Sequence, residues 1–308
     1  MTTSQAEPPP MGIQPGRFPW SRASSALWRR PWARATALLT PPLAWFLLIY
    51  IASLAVLLIT AFWTTNAYTG NLERLWNLGN FRQIIETAAY RSIIGRTVLI
   101  AAAVTVTDAV LAFPFAYYMA RIARPRIRTV LFVAILLPLW ASYLAKILSW
   151  QLILAHDGLL NWSLGKVGIG ALSVNYSNWA VYIAFCYIWL PYMVIPTFAA
   201  LERVPSSMIE ASQDLGGRTW RTTWSVLVPL ALPGIAAGSI FTFSLTLGDY
   251  ITPLLLGGTN SVFIGTVIFT NIGTAANLPL AAAMAIVPIA IMACYLAFAR
   301  SLGAFREL

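Results

Sequence analysis

Apolar residues in this chain come in long runs, not in the strict alternation of a half-buried strand, and polar residues gather between the runs. About 20 mostly apolar residues suffice for a helix to cross a bilayer. Six windows meet that length: Leu38–Trp63, Thr97–Ala120, Thr129–Ala155, Trp179–Leu201, Val226–Leu256 and Leu278–Ala299. The first, fourth and sixth hold no charge, and the others hold one each, Asp108, Lys146 and Asp249. The pattern predicts an all-α polytopic membrane protein with six transmembrane helices. The fifth window is longer than a span needs, so it is expected to end before Pro253, with the remainder re-entrant or lying at the surface.

The stretches between windows complete the layout. Residues 1–37 are rich in Pro, Ser and Arg without apolar periodicity, which predicts a disordered basic cytoplasmic tail. Residues 38–65 form the first span. Its run of about 25 apolar residues exceeds the 7–15 of a cleavable signal peptide, so it is expected to stay as an uncleaved anchor. Residues 66–96 read as an extracytoplasmic segment. There Phe81, Ile84, Ile85 and Ala88 recur at helical spacing, predicting a short interfacial helix over Phe81–Ile94. Residues 97–308 make the transmembrane core, interrupted by a polar loop at 202–225.

Composition agrees, and charge placement orients the chain. Of 308 residues, 59% are hydrophobic and 10% charged, against about 25% charged in soluble domains. The net charge of +10 invites a nucleic-acid reading. Its distribution removes that reading: fourteen Lys and Arg fall in the tail, the 121–128 connection, the 202–225 loop and the C-terminal end, and five fall on the other side. The positive-inside bias puts both termini and the polar loop in the cytoplasm of a multi-pass cell-membrane protein. Cys186 and Cys294 stand in apolar runs without a CxxC or His partner, which suits small buried hydrophobes better than a disulfide or metal site.

The polar loop carries the most specific signal. Ser207-Met208-Ile209-Glu210 has capping-box spacing, in which the Ser hydroxyl and Glu carboxylate each accept an amide of the other. Pro205 precedes it, and Gly216-Gly217 supplies a left-handed stop. The helix between them has two to three turns and presents Met208, Ala211, Ser212 and Leu215 on one face. Too short to be stable alone, it must pack on a neighbour or a partner. Glu210-Ala211-Ser212, then Gly216, then Val226-Leu227-Val228-Pro229 resembles the signature of permease subunits of binding-protein-dependent ABC importers, with Ser212, Val226 and Val228 as mild departures. The likeness runs from about Asn80 to Arg300 and is similar to the spermidine/putrescine type. It draws on Phe113-Pro114-Phe115-Ala116-Tyr117-Tyr118-Met119-Ala120-Arg121, Leu137-Pro138-Leu139-Trp140, Asp157-Gly158-Leu159-Leu160-Asn161, Leu190-Pro191-Tyr192-Met193 and the run from Gly248 to Gly258.

That resemblance implies the type I importer permease (MetI-like) fold. It also implies that Ser207, Glu210, Ala211, Ser212, Leu215 and Gly216 couple to a separate ATPase. It implies an ATPase dimer holding ATP and Mg, a second homologous permease chain in a heterodimeric pore, an extracytoplasmic solute-binding protein and surrounding lipid, with no cofactor bound by this chain. The solute would be a polyamine or related small cation, or else an opine or amino-acid derivative.

A charged residue in mid-membrane faces a wet interior or a partner. Asp108 lies on the stripe Ala101, Thr105, Asp108, Ala112, and Asp249 ends the stripe Ser239, Thr242, Thr246, Asp249. These small polar faces could line a route for a cationic amine, with Tyr250 beside Asp249, or could be packing surfaces between helices with locally bonded Asp residues. Lys146 could pair with either Asp. Trp140, Tyr143, Ile147 and Trp150 would share its helix face, as cation-holding rings or, for Trp150, as an interfacial anchor. His156 beside Asp157 reads as a solvated loop residue.

No GxSxG, HExxH or paired-Cys motif occurs, and Gly165-Lys166-Val167 lacks the rest of a phosphate loop. The chain therefore reads as a transport subunit and not an enzyme. The rival to an ATP-driven importer is an ion-coupled secondary carrier using Asp108 and Asp249.

Overall fold

A computed structural model describes residues 31–66 and 69–301. Most of the expected tail and the last seven residues lie outside it. The chain divides into two compact units, residues 1–57 and 58–308. The first holds α1 (Pro31–Trp45), a π turn (Phe46–Ile51) and the start of α2 (Ala52–Thr60). Helix is thus already present from Pro31, before the Leu38 expected of the first span. No described side chain from Trp32 to Leu57 is buried within the protein. The Thr40 and Ser53 hydroxyls donate to carbonyls four residues back, as polar groups in hydrocarbon must.

The second unit opens with a two-stranded antiparallel ribbon, β1 (Thr64–Thr65) and β2 (Leu72–Glu73). Then come α3 (Gly79–Glu86), α4 (Ala88–Tyr117), a π turn (Tyr118–Ile122), α5 (Pro125–Trp140), α6 (Tyr143–Ile153) and α7 (Leu159–Lys166). They are followed by α8 (Asn178–Arg203), α9 (Ser206–Asp214), α10 (Thr219–Thr222), a π turn (Thr223–Leu227), α11 (Val228–Gly248), α12 (Ile251–Leu256), α13 (Ile264–Ile272) and α14 (Leu278–Ser301). The expected interfacial helix is α3, but it stops at Glu86. Thr87 turns extended (ψ 115°), and Ala88–Ile94 belongs to the membrane helix that follows.

Among the described residues five helices are long and apolar enough to cross a membrane, and a sixth span is reached if α5 and α6 count as one. The expected straight third span is therefore corrected: its halves bend by 96°. Ala141 and Ser142 are both extended (ψ 144° and 133°), and Pro138 has already removed a helical donor near the end of α5. The fifth span ends at Gly248, before Pro253 as expected: Asp249 turns extended (ψ 131°), and Pro253 sits in the first turn of α12, where its missing N–H is harmless.

The core is built around α8, flanked by α4 and α11. Toward one end Ile100, Val104, Ala184, Phe185, Ile188 and Phe263 pack together; toward the other, Ala116, Met119, Met193, Phe198, Leu201 and Leu227 do. Small residues set the closeness of α8 and α11. A Cβ on Gly234 would lie 2.5 Å from Ala200 Cβ, and one on Gly238 would lie 2.7 Å from Met193 Sδ. Helices in lipid gain little from apolar burial as such, so close packing across glycine supplies the attraction.

Candidate functional site

The polar loop forms the expected short helix, α9, and its two ends turn out differently. At the C-terminus the Gly216 amide donates to Gln213 O (2.8 Å) and the Gly217 amide to Ser212 O (2.9 Å). With Gly216 at φ +80°, this is a Schellman stop. Ser212 Oγ also meets Thr222 Oγ1 at 2.9 Å, tying α9 to α10. The expected capping box is absent. Pro205 takes the cap position at ψ 141°, helix starts at Ser206, and Ser207 is drawn into the first turn, where its hydroxyl cannot serve as the cap.

Ile209 turns inward onto the Leu201–Leu227 end of the core. Met208, Glu210, Ala211 and Leu215 stay exposed, Leu215 by 90%. Met208, Ala211, Ser212, Leu215, Gly217 and Arg221 line a concavity of about 510 Å³ that runs on to Val226.

The intramembrane candidates are brought together only in part: Tyr143 meets both Asp249 and Lys146, while Asp108 has no hydrogen-bond partner. Asp108 is fully buried with Ala101, Thr105 and Ala112 where α4 meets its neighbours. Cys186 of α8 lies alongside the carboxyl, yet neither carboxylate oxygen has a partner of hydrogen-bond geometry. Asp249 does the opposite. Its Oδ1 accepts the amides of Ile251 (2.7 Å) and Thr252 (3.1 Å), and its Oδ2 accepts the hydroxyls of Thr252 (2.9 Å) and Tyr143. It caps α12 and fastens that helix to α6.

The remaining stripe residues pack. Thr246 bonds back to Thr242 O, and Ser239 accepts Tyr295 of α14. Tyr250 stacks on Phe269 at 4.7 Å. Lys146 forms an ion pair with neither Asp; its Nζ stands 5.7 Å from the centre of the Tyr143 ring. Because of the bend after α5, Trp140 is 89% exposed and shares no face with Tyr143, Ile147 and Trp150, while Trp150 meets Tyr187 edge-on. His156 and Asp157 are solvated as expected. Cys186 is partly buried, whereas Cys294 is exposed on α14 and so is not the buried hydrophobe expected of it. Among the described residues no three of His, Cys, Asp and Glu gather as a metal site.

Two features went unread in the sequence. Gly234 and Gly238 form a GxxxG, a legible signal for close helix packing. Arg121 and Arg128 had been counted only as charge. Arg121 Nη2 donates to both Leu201 O and Val204 O at the end of α8, and Arg128 pairs with Glu202 while lying over the Phe198 ring at 4.9 Å. These contacts place the 118–128 elbow and α9 at the same end of the bundle. Arg96, near the opposite end of α4, donates to Asn260 O.

Residues 109–305 match the family described as binding-protein-dependent transport system inner membrane component. Among curated relatives, the inner membrane ABC transporter permease protein YdcU of Escherichia coli (strain K12) is 42% identical over 307 residues, 96% of this chain and 97% of that one. The spermidine/putrescine transport system permease protein PotB of Haemophilus influenzae is 30% identical over 199 residues, 64% of this chain and 69% of that one. A crystal structure of a bacterial ABC transporter involved in the import of the acidic polysaccharide alginate matches with TM-score 0.73 at 18% identity, covering 93% of this chain and 99% of that one. A multi-pass helical core of this fold, carrying an exposed capped helix at the charge-rich end, belongs to the binding-protein-dependent inner membrane component family: the chain is the permease of an ABC importer.

Proposed function

We propose that this permease forms half of a translocation pathway and takes its drive from a separate ATPase seated on α9. The exposed row Met208, Ala211 and Leu215 over the concavity carries this reading. The contact residues are Ser207, Glu210, Ala211, Ser212 and Leu215, with Gly216 holding the helix end. On this reading α9 and both termini are cytoplasmic, ATP and Mg stay on the ATPase pair, and a second, related permease chain completes the pore. The family's binding-protein dependence supports a solute-binding protein on the outer face.

The solute is a polyamine or a related small cation, a choice supported by the spermidine/putrescine relative. Selectivity is assigned to the binding protein, because Asp108 is buried in packing and the Asp249 carboxylate is occupied by its own neighbours.

The test is an Ala211→Cys permease in proteoliposomes with its ATPase and binding protein. The expected result is a 211 crosslink to the ATPase and ATP-dependent uptake of labelled spermidine. Uptake driven by a proton or sodium gradient without ATPase would establish the secondary-carrier alternative. ATP-dependent uptake of a different solute would leave the coupling reading intact and replace the polyamine.

A further inference from the structure

We propose that Arg121 is a positioning residue that clasps the stalk of α9 to the elbow between α4 and α5, so that a push on α9 reaches a second membrane helix pair. The inference rests on the reading of α9 as the seat of a partner ATPase and extends it inward.

The geometry is specific. A helix ends with four carbonyls lacking intrahelical donors. At the end of α8 Leu201 O, which the Val204 amide reaches at 3.3 Å, and Val204 O both take hydrogens from the same Arg121 nitrogen, each at 2.5 Å. Val204 is separated from the first residue of α9 only by Pro205, so the bonds fall at the root of the lever. Arg121 itself lies in the π turn Tyr118–Ile122, between α4 and α5.

The clasp sits on packed ground. Met119, two residues before Arg121, is buried in the cluster with Leu201, Val204 and Leu227, and Ile209 of α9 packs on that cluster. Arg121 Nε is buried without a partner of its own, a cost the side chain bears to deliver its outer nitrogen to the two carbonyls. A planar guanidinium is suited to such bridging, whereas an ammonium is a point donor on a flexible stem. Without the clasp, the stalk would be tied to the elbow by the partly exposed Arg128–Glu202 pair and by apolar contacts that can slide. With it, stalk and elbow move as one body.

The experiment uses the assembled complex with Cys186 and Cys294 replaced by Ala and spin labels at Gln213→Cys and Ile127→Cys, both exposed positions on the two sides of the clasp and outside the row assigned to the ATPase. Distances are measured nucleotide-free and with MgATP and vanadate. In the parent the 127–213 distribution should keep its width and centre in both states. Arg121→Met, which keeps the apolar stem, should broaden it at least twofold already in the resting state. Arg121→Lys should fall between them. Arg124→Ala removes one exposed charge from the same elbow and should match the parent. Should Arg121→Met fail to accumulate, the Arg121→Lys comparison decides alone.

A distribution in Arg121→Met, or in Arg121→Lys where that variant decides, indistinguishable from the parent overturns the clasp. Loss of the Ala211→Cys crosslink in an otherwise unaltered chain would instead overturn the ATPase seat.

Discussion

Replacing Gly216 with alanine should loosen the end of α9 without disturbing any neighbour. Gly216 sits at φ +80°, and a Cβ there would meet no heavy atom within 4 Å, so the effect is purely conformational. A side chain in the left-handed region costs about 1–2 kcal/mol. Alanine also restricts the unfolded chain, which returns about 0.4–1 kcal/mol. At the middle of both ranges the net loss is about 0.8 kcal/mol, roughly a fourfold shift toward the frayed end. The amides of Gly216 and Gly217, bonded to Gln213 O and Ser212 O, report on it directly. Hydrogen exchange read by mass spectrometry on a peptide covering 206–217 should quicken by that factor in Gly216→Ala. It should quicken less in Gly216→Asn, which tolerates the left-handed region, and most in Gly216→Val. Exchange in Gly216→Ala equal to the parent's would refute the argument that the Schellman stop holds α9 in shape.

Other substitutions probe the interior. Gly238→Val would push a branched side chain into Met193, with Met193 Sδ and Cα at 2.7 and 2.9 Å from the new Cβ, and should cost about 1–3 kcal/mol of overpacking, seen as earlier thermal aggregation in detergent. Asp249→Ala removes the cap of α12 and the acceptor for Tyr143. It should destabilise by about 1–2 kcal/mol as a lost helix cap does, while Asp249→Asn, keeping one carbonyl acceptor, should lose less; equal melting of the two would count against the capping role. Asp108 is fully buried, so Asp108→Asn should leave the KM for labelled spermidine within twofold of the parent. A tenfold rise would return it to the pathway.

Several features were written locally and read correctly from the sequence. Apolar run length specified membrane helices, because a bilayer leaves the backbone no other donors and acceptors than its own. Gly216-Gly217 announced a helix end because only glycine enters the left-handed region at no cost. The motif from Glu210 to Pro229 indicated the family.

Other features needed the third dimension. The bend at Ala141–Ser142 was hidden in one continuous apolar run, since hydropathy measures solvent and not backbone direction. The Ser207–Glu210 spacing fitted a capping box, but the helix started at Ser206 and took Ser207 out of the capping position. Asp108 and Asp249 looked alike as lone carboxylates in apolar windows; folding buried one without a hydrogen-bond partner and gave the other four donors. Arg121 was only a positive charge until α8 ended beside it. Sequence determines which segments must leave water and where a chain can turn, because those costs are paid residue by residue. Partners for a buried charge or an orphaned carbonyl come from distant segments, and only their packing decides them.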